Sequence, residues 1–435
     1  MILVAVFLAL MSAKTISEKI LSAKSGQDAR AGDLVVCRVD CALGTDGSVP
    51  MAIDYFNAMG AKRVCDPQRI AFALDHYAPA PTPAAKLLHQ RIRDFAAQHG
   101  ILLWDVGEGI GHQLIVESGR ALPAGLAVGA DSHAVTYGAL NTFATGIGSS
   151  DLAAIMASGR MWLRVPESIK ITLTGRLREG VYPKDAALAL AGKLGADGAT
   201  YQSLEFCGPG VASLDLEDRL VLSNFAVEMG AKNGIFPADD KTTAYLHGIA
   251  SAGSTAVPWQ PVEPDPVATY VREITLDLDS LTPQLALPHQ VDRVIEIGGA
   301  TGTRVQMVYL GTCTGGRVRD FHQALAVLKA GGGVATGVQL VVTPASRTVL
   351  ETLRGDGSLA EFIAMGAVVG TPGCGSCCGT CGTIPGDGVN VISSANRNFK
   401  GRMGNSSSAI YLASPASCAA AAVAGVITGP SEAGQ

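Results

Sequence analysis

The sequence predicts an α/β fold with mixed or parallel sheets, and three observations carry that expectation. Apolar runs of strand length alternate with helix-patterned segments almost throughout the 435 residues, as strands joined by covering helices do. Apolar residues make up 48% of the chain but aromatics only 5%, so small aliphatics fill the interior. The 52 glycines exceed the ~7% of ordinary usage and supply tight turns and close backbone approaches. A chain of this length divides into about three domains.

The charge balance excludes other classes. Thirty-three basic residues face 38 acidic ones, a net charge of −5, which argues against nucleic acid or an anionic membrane as partner. High apolar content excludes disorder, and the glycines show no period of three.

In chain order, MILVAVFLAL (1–10) has no basic n-region and no cleavage site. Ten residues are also too few to span a bilayer. The lead reads as an extension outside the native chain, with Met11 as the start and a cytoplasmic protein as the consequence. A soluble helix follows, capped at Thr15 or Ser17. Apolar strands then end at Ala73-Leu74 and at Val128-Gly129, each entering a polar loop. Asp151 to Leu163 reads as a helix. Ser168 to Gly175 alternates at period two, a strand with one wet face. PWQPVEPDP (258–266) has neither helix nor strand logic and serves as the linker. The divisions are therefore 11–165, 166–266 and 267–435. The tail Ala413 to Thr428 reads as an Ala/Val-rich helix stopped by Gly429-Pro430.

Four of the ten cysteines, Cys374, Cys377, Cys378 and Cys381, fall within eight residues. In a large intracellular chain such a cluster points to metal rather than disulfide. Cys374-x-x-Cys377 is framed by glycines, and Cys313 follows an apolar strand as a third thiolate candidate. Iron–sulfur clusters normally take four thiolates, so three would leave one iron open. A zinc site on Cys374, Cys377, Cys378 and Cys381 is the alternative, made awkward by the adjacent Cys377 and Cys378.

Carboxylates and imidazoles gather at the strand ends. Asp75-His76 precedes a proline-stiffened loop, His112 lies in the glycine-loosened GEGIGHQ (107–113), and Asp131-Ser132-His133 follows the Val128 strand. Open α/β sheets form their sites at such carboxyl ends. A carboxylate beside an imidazole fixes its tautomer and raises its proton affinity, which suits a general acid. His89, His99, His247, His289 and His322 stand in polar, helical or loop surroundings that call for no functional role. Asn224 and Glu228, four apart, share one helix face. A solvated helix edge would explain that spacing equally well. Arg397, Lys400 and Arg402 make a cationic loop able to grip carboxylates, or simply a solvated one.

Taken together these segments resemble the aconitase superfamily, most closely the large subunits of 3-isopropylmalate dehydratase and homoaconitase. The resemblance rests on DHYAPAP (75–81), GIGHQ (109–113), VGADSHAVTYGALNTFATGIGSSDLA (128–153) and NFAVEMGAK (224–232). It continues through LGTCTGGR (310–317), GCGSCCG (373–379), SSANRNFKGRMG (393–404) and YLASPASCAAAAVAG (411–425), in family order over nearly the whole chain. It implies three aconitase-like domains around a central cluster cleft, without the family's swivelling fourth domain. Cys313, Cys374 and Cys377 would bind one [4Fe–4S] cluster per subunit, its fourth iron free to act as a Lewis acid. Asp75 and His76 would protonate the departing hydroxyl. His112 would pair with Asp131, and His133 with Glu228, while Ser132 and Asn224 would add hydrogen bonds. Arg397 and Arg402 would hold substrate carboxylate.

The resemblance also implies a reaction: isomerisation of a 2-hydroxy di- or tricarboxylic acid by dehydration and rehydration. The leading substrate is 2-isopropylmalate, converted to 3-isopropylmalate in leucine synthesis. Homocitrate-type or 2-methylmalate/dimethylmalate-type substrates are alternatives, and an RNA-binding or structural metal protein is the alternative from another class. A separate small subunit would supply the swivel domain and its proton-abstracting serine, making a heterodimer. Three departures stand out: Gly315 replaces the family's usual asparagine in CTNGR, Cys378 and Cys381 are extra thiols, and Cys41 to Pro50 is only loosely family-like.

Overall fold

The computed structural model describes residues 13–251 and 258–430; the apolar lead 1–10 and Met11 lie outside them. The first seven strands are β1 (Leu34–Arg38), β2 (Cys41–Thr45), β3 (Ile70–Ala73), β4 (Leu102–Trp104), β5 (Leu126–Gly129), β6 (Phe143–Gly146) and β7 (Arg160–Arg164). Strands β2 to β6 form a parallel sheet in the order β4-β3-β2-β5-β6, and β1 pairs antiparallel with β7 as a separate ribbon. β2, β3 and β5 are buried along their whole length. They are therefore continuous apolar runs rather than alternating ones, as strands covered on both faces must be.

A second parallel sheet holds β8 (Ser168–Thr174), β9 (Ser203–Cys207), β10 (Asn233–Ile235) and β11 (Arg272–Asp277), in the order β10-β9-β8-β11. The third sheet contains β12 (Gln284–Ala286), β13 (Val294–Glu296), β14 (Met307–Gly311), β15 (Gln339–Thr343), β16 (Val368–Val369), β17 (Asn390–Ser393) and β18 (Ala409–Leu412). Its order is β13-β12-β18-β17-β14-β15-β16, parallel apart from the pairings of β12.

Several elements differ from the sequence reading, each for a local reason. The helix expected over 151–163 runs Ser149–Ser158 and stops at Gly159, whose φ of +70° closes it before β7 begins. The C-terminal helix covers only Pro415–Ala424 and ends the same way at Gly425. His112 sits in the first turn of a helix, Gly111–Glu117, rather than in a loop. Thr15, not Ser17, caps the helix Ile16–Ser25, with Glu18 completing a capping box. The proline-rich 258–266 has no strand or helix, as expected, yet β11 beyond it pairs with β8 along six residues and completes the second sheet.

Strand order reverses twice at places that matter. In the first sheet the chain leaves β2 for β3 and β4 on one side, then returns to β5 on the other. In the third it leaves β14 for β15 and β16, then returns to β17. Such reversal points leave a crevice beyond the strand carboxyl ends, where α/β proteins bind ligands. Asp46 and Asp131 follow β2 and β5; Cys313 and Arg397 follow β14 and β17.

Candidate active site

The two crevices bring the sequence-predicted acid–base residues into one connected network. Asp75 is completely buried. Its Oδ1 lies 2.7 Å from His76 Nδ1, its Oδ2 accepts the Gly111 N–H at 2.8 Å, and its carbonyl accepts the Cys374 N–H at 2.9 Å. His76 Nε2 lies 3.4 Å from Asp131 Oδ2. Asp131 Oδ1 meets His112 Nε2 at 2.7 Å and accepts the His133 backbone N–H at 2.9 Å. His133 Nε2 lies 2.8 Å from Glu228 Oε1, and Arg397 Nε donates to both Glu228 oxygens at 2.9 and 3.0 Å. Arg397 Nη2 then donates to Ser132 Oγ at 2.9 Å. Burial removes the solvated helix edge as a reading of Asn224 and Glu228: they are 0% and 8% exposed.

The electrostatics follow from this geometry. Burial works against a charged His76 ring, but Cys374, Asp75 and Asp131 around it outweigh burial and hold its proton affinity well above that of ordinary histidine. Burial likewise opposes ionisation of Asp131, yet His112, His133 and His76 keep it well below the usual carboxylate range. Glu228 is lowered in the same manner by His133 and Arg397 against its own burial. The site thus separates a proton-holding imidazole from firmly ionised carboxylates.

The three candidate thiolates line the facing wall. Burial, then the neighbouring Cys377, pushes the Cys313 thiol up to about 11; burial also raises Cys374. What surrounds the sulfurs tests whether a cluster fits. Asn224 Nδ2 and Asn396 Nδ2 donate to Cys313 Sγ at 3.1 and 3.3 Å, and Arg402 Nη2 faces Cys377 Sγ at 3.6 Å. Amide and guanidinium donors aimed at sulfur suit metal-bound thiolates, whose properties such contacts tune. A single zinc ion fits poorly, because Zn–S bonds of about 2.3 Å require sulfurs roughly 3.8 Å apart. Among the described residues no cysteine trio gathers within 4.8 Å; the only group that tight is Asp75, His76 and Cys374.

The extra thiols face elsewhere. Cys381 Sγ lies 3.2 Å from the His76 carbonyl and 3.5 Å from that of Ala78, and Cys378 Sγ lies 3.8 Å from the same His76 carbonyl. Together with Thr380, whose hydroxyl donates to that oxygen, they tie the cysteine loop to the His76 loop.

Some placements refine what the sequence suggested. Asn224 donates to Cys313 sulfur and to Thr136 Oγ1, so its amide is spent on the cysteine wall. Arg397 is engaged by Glu228 and Ser132, whereas Arg402 Nε is buried without a hydrogen-bond partner. Gly315 cannot carry a side chain in this packing, since a Cβ there would lie 2.5 Å from Ser394 Cβ. The donors on Cys313 come instead from Asn224 and Asn396.

Two residues escaped the sequence reading. Asp46, 1% exposed, accepts the backbone N–H groups of His76 and Tyr77, each at 2.9 Å. His89, 1% exposed, reaches the same carboxylate at 2.9 Å. Its helix, Pro83–His99, buries Ala85, His89, Ile92 and Ala96, so the apolar stripe already marked position 89 as inward-facing.

Residues 18–425 match the aconitase family (aconitate hydratase). The 3-isopropylmalate dehydratase large subunit 1 of Methanopyrus kandleri is 44% identical over 96% of this chain and 99% of its own length. The homoaconitase large subunit of Thermus thermophilus is 43% identical over 96% and 98%. A probable methanogen homoaconitase large subunit of Methanosarcina mazei is 45% identical over 90% and 98%. The solved holo-form of Thermococcus kodakaraensis aconitase X, 12% identical, superposes with a TM-score of 0.50 over 87% of this chain and 88% of its own, a likeness of fold alone. Matched over nearly its whole length and at more than 40% identity to several relatives, the chain belongs to the aconitase family, whose members are built around an iron–sulfur cluster.

Proposed function

We propose that this chain is the large subunit of an iron–sulfur hydro-lyase that isomerises 2-isopropylmalate to 3-isopropylmalate through dehydration and rehydration. The observation that carries the reading is the unbroken network from Asp75 to Ser132, placed opposite cysteine sulfurs that receive amide and guanidinium donors. Cys313, Cys374 and Cys377 would hold a [4Fe–4S] cluster. Bound there, it supplies a Lewis-acidic iron for the substrate hydroxyl and carboxylate.

The chain's own residues do the rest. With the His76 Nδ1–H donating to Asp75 Oδ1, the second ring proton, on Nε2, is the one handed to the departing hydroxyl. Asp131 orients His112 and the His133 backbone, and Glu228 fixes His133 from the other side. Arg402, beside Cys377 sulfur, would bring its guanidinium to a substrate carboxylate. A small subunit bringing a swivelling domain with a proton-abstracting serine is part of the proposal, and relatives named large subunits support it.

Homoaconitase activity is the second reading, favoured by the two homoaconitase relatives. Anaerobic reconstitution with iron and sulfide, followed by mild oxidation, tests the cofactor: a [3Fe–4S] EPR signal lost on adding Fe²⁺ is expected, and zinc without an iron signal overturns it. Assays of the chain with its partner on 2-isopropylmalate and on homocitrate decide between the substrates.

A further inference from the structure

Lys184 is 2% exposed and belongs to the first turn of the helix Pro183–Leu194. Both facts oppose a positive charge. Burial strips an ammonium of its hydration, and the amino end of a helix repels cations. Its Nζ donates to three neutral acceptors: the Ala395 carbonyl at 2.7 Å, Thr314 Oγ1 at 3.1 Å and the Ser394 carbonyl at 3.2 Å. The Phe225 ring lies 4.5 Å away. Among the described residues no carboxylate forms an ion pair with it. The adjacent Asp185 is turned to the backbone N–H groups of Tyr182 and Gln284, both within 2.9 Å.

Burial pushes the Lys184 ammonium down to about 8, and the charges that partly offset this are Cys313, then Glu228, Cys418 and Cys377. Glu228 is already satisfied by His133 and Arg397. Burial keeps the Cys418 and Cys313 thiols protonated, and Cys313 and Cys377 would be negative as metal-bound thiolates. The contacts of Lys184 also join the two loops beyond β14 and β17, because Thr314 donates in turn to Asn396, which reaches Cys313 sulfur.

We infer that Lys184 is the buried counter-cation of the iron–sulfur cluster: a positioning residue whose charge favours cluster retention and makes the bound cluster easier to reduce. The inference rests on the cluster assignment proposed above. Uncompensated, a buried ammonium is costly; beside thiolates it is paired, so ligation and this charge support one another.

The test uses full-length protein, wild type beside Lys184→Met and Lys184→Gln, each reconstituted anaerobically with iron and sulfide. Gln removes the charge but keeps an amide donor, and it serves where Met fails to fold. Iron content, chelator-driven iron loss and an EPR-monitored reductive titration are measured on each. Both neutral variants should lose iron roughly ten-fold faster and take up the electron at a lower potential than wild type. Unchanged potentials at full iron content overturn the inference, as does a Gln variant matching wild type while only Met shifts, which would make the role hydrogen bonding alone. A wild-type protein that binds no iron defeats the cluster assignment itself, a result distinct from iron-loaded variants with unshifted potentials.

Discussion

His89 Nε2 lies 2.9 Å from Asp46 Oδ2, and the Asp46 carboxylate simultaneously holds the backbone N–H groups of His76 and Tyr77. His89, thirteen residues after His76, thus supports the His76 backbone through a carboxylate at the end of β2. His89→Leu leaves that buried carboxylate short of a hydrogen bond, and a lost bond to a charged group costs about 1.5–3 kcal/mol. The expected outcome is kcat lowered about ten-fold or more, with KM little changed and iron content intact. Kinetics on the iron-loaded holoenzyme check it; a wild-type kcat would show that His76 needs no such support.

Gly315 faces Ser394, whose Cβ and Oγ lie 2.5 and 2.6 Å from where a Cβ at 315 would stand. Gly315→Asn, which restores the family's usual residue, should destabilise the chain by about 1–3 kcal/mol through overpacking. Combining it with Ser394→Gly should recover part of the loss, because the two positions are in contact. Thermal melting of the single and double variants measures the coupling, and additive losses would refute it.

Arg402 stands 3.6 Å from Cys377 sulfur with its Nε unpartnered. Lysine keeps the charge but not the fork that grips a carboxylate. Arg402→Lys is expected to raise KM for the hydroxy-acid substrate about ten-fold while cysteine-bound iron remains. Substrate titration alongside iron analysis distinguishes this from loss of the metal; an unaltered KM would assign the carboxylate to another cation.

Asp185 is completely buried, and desolvation pushes its carboxyl up to about 7, only partly offset by the N–H groups of Gln284 and Tyr182. The unfolded chain releases this proton near 3.8. Between those values the folded state binds more protons than the unfolded one, so this group makes stability fall as pH rises from about 4 to about 7. Asp131 and Glu228, whose carboxyls are lowered, contribute the opposite slope at more acid pH. Asp185→Asn should therefore narrow the difference in urea midpoint between pH 5 and pH 8. An unchanged difference would mean the carboxyl is ionised throughout.

The sequence by itself determined the α/β class, the strand ends that carry Asp75, His76, Asp131 and His133, and the cysteine pair at 374 and 377. Those features are local: an apolar run breaking into a polar or glycine-rich loop is written in consecutive residues. Helix ends were harder to read, because Gly159 and Gly425 stop helices through a left-handed backbone in segments whose composition would allow them to continue. Tertiary structure alone decided which charges meet. Lys184 looks like a helix-surface lysine until two distant loops close over it. His89 matters because β2 delivers Asp46 beneath its helix, and Arg397 meets Glu228 across 169 positions of chain. Sequence periodicity tells which face of an element is buried, but not which element will cover it. The reversal of strand order in two sheets settled that, bringing the loops after β2, β5, β14 and β17 to one cleft.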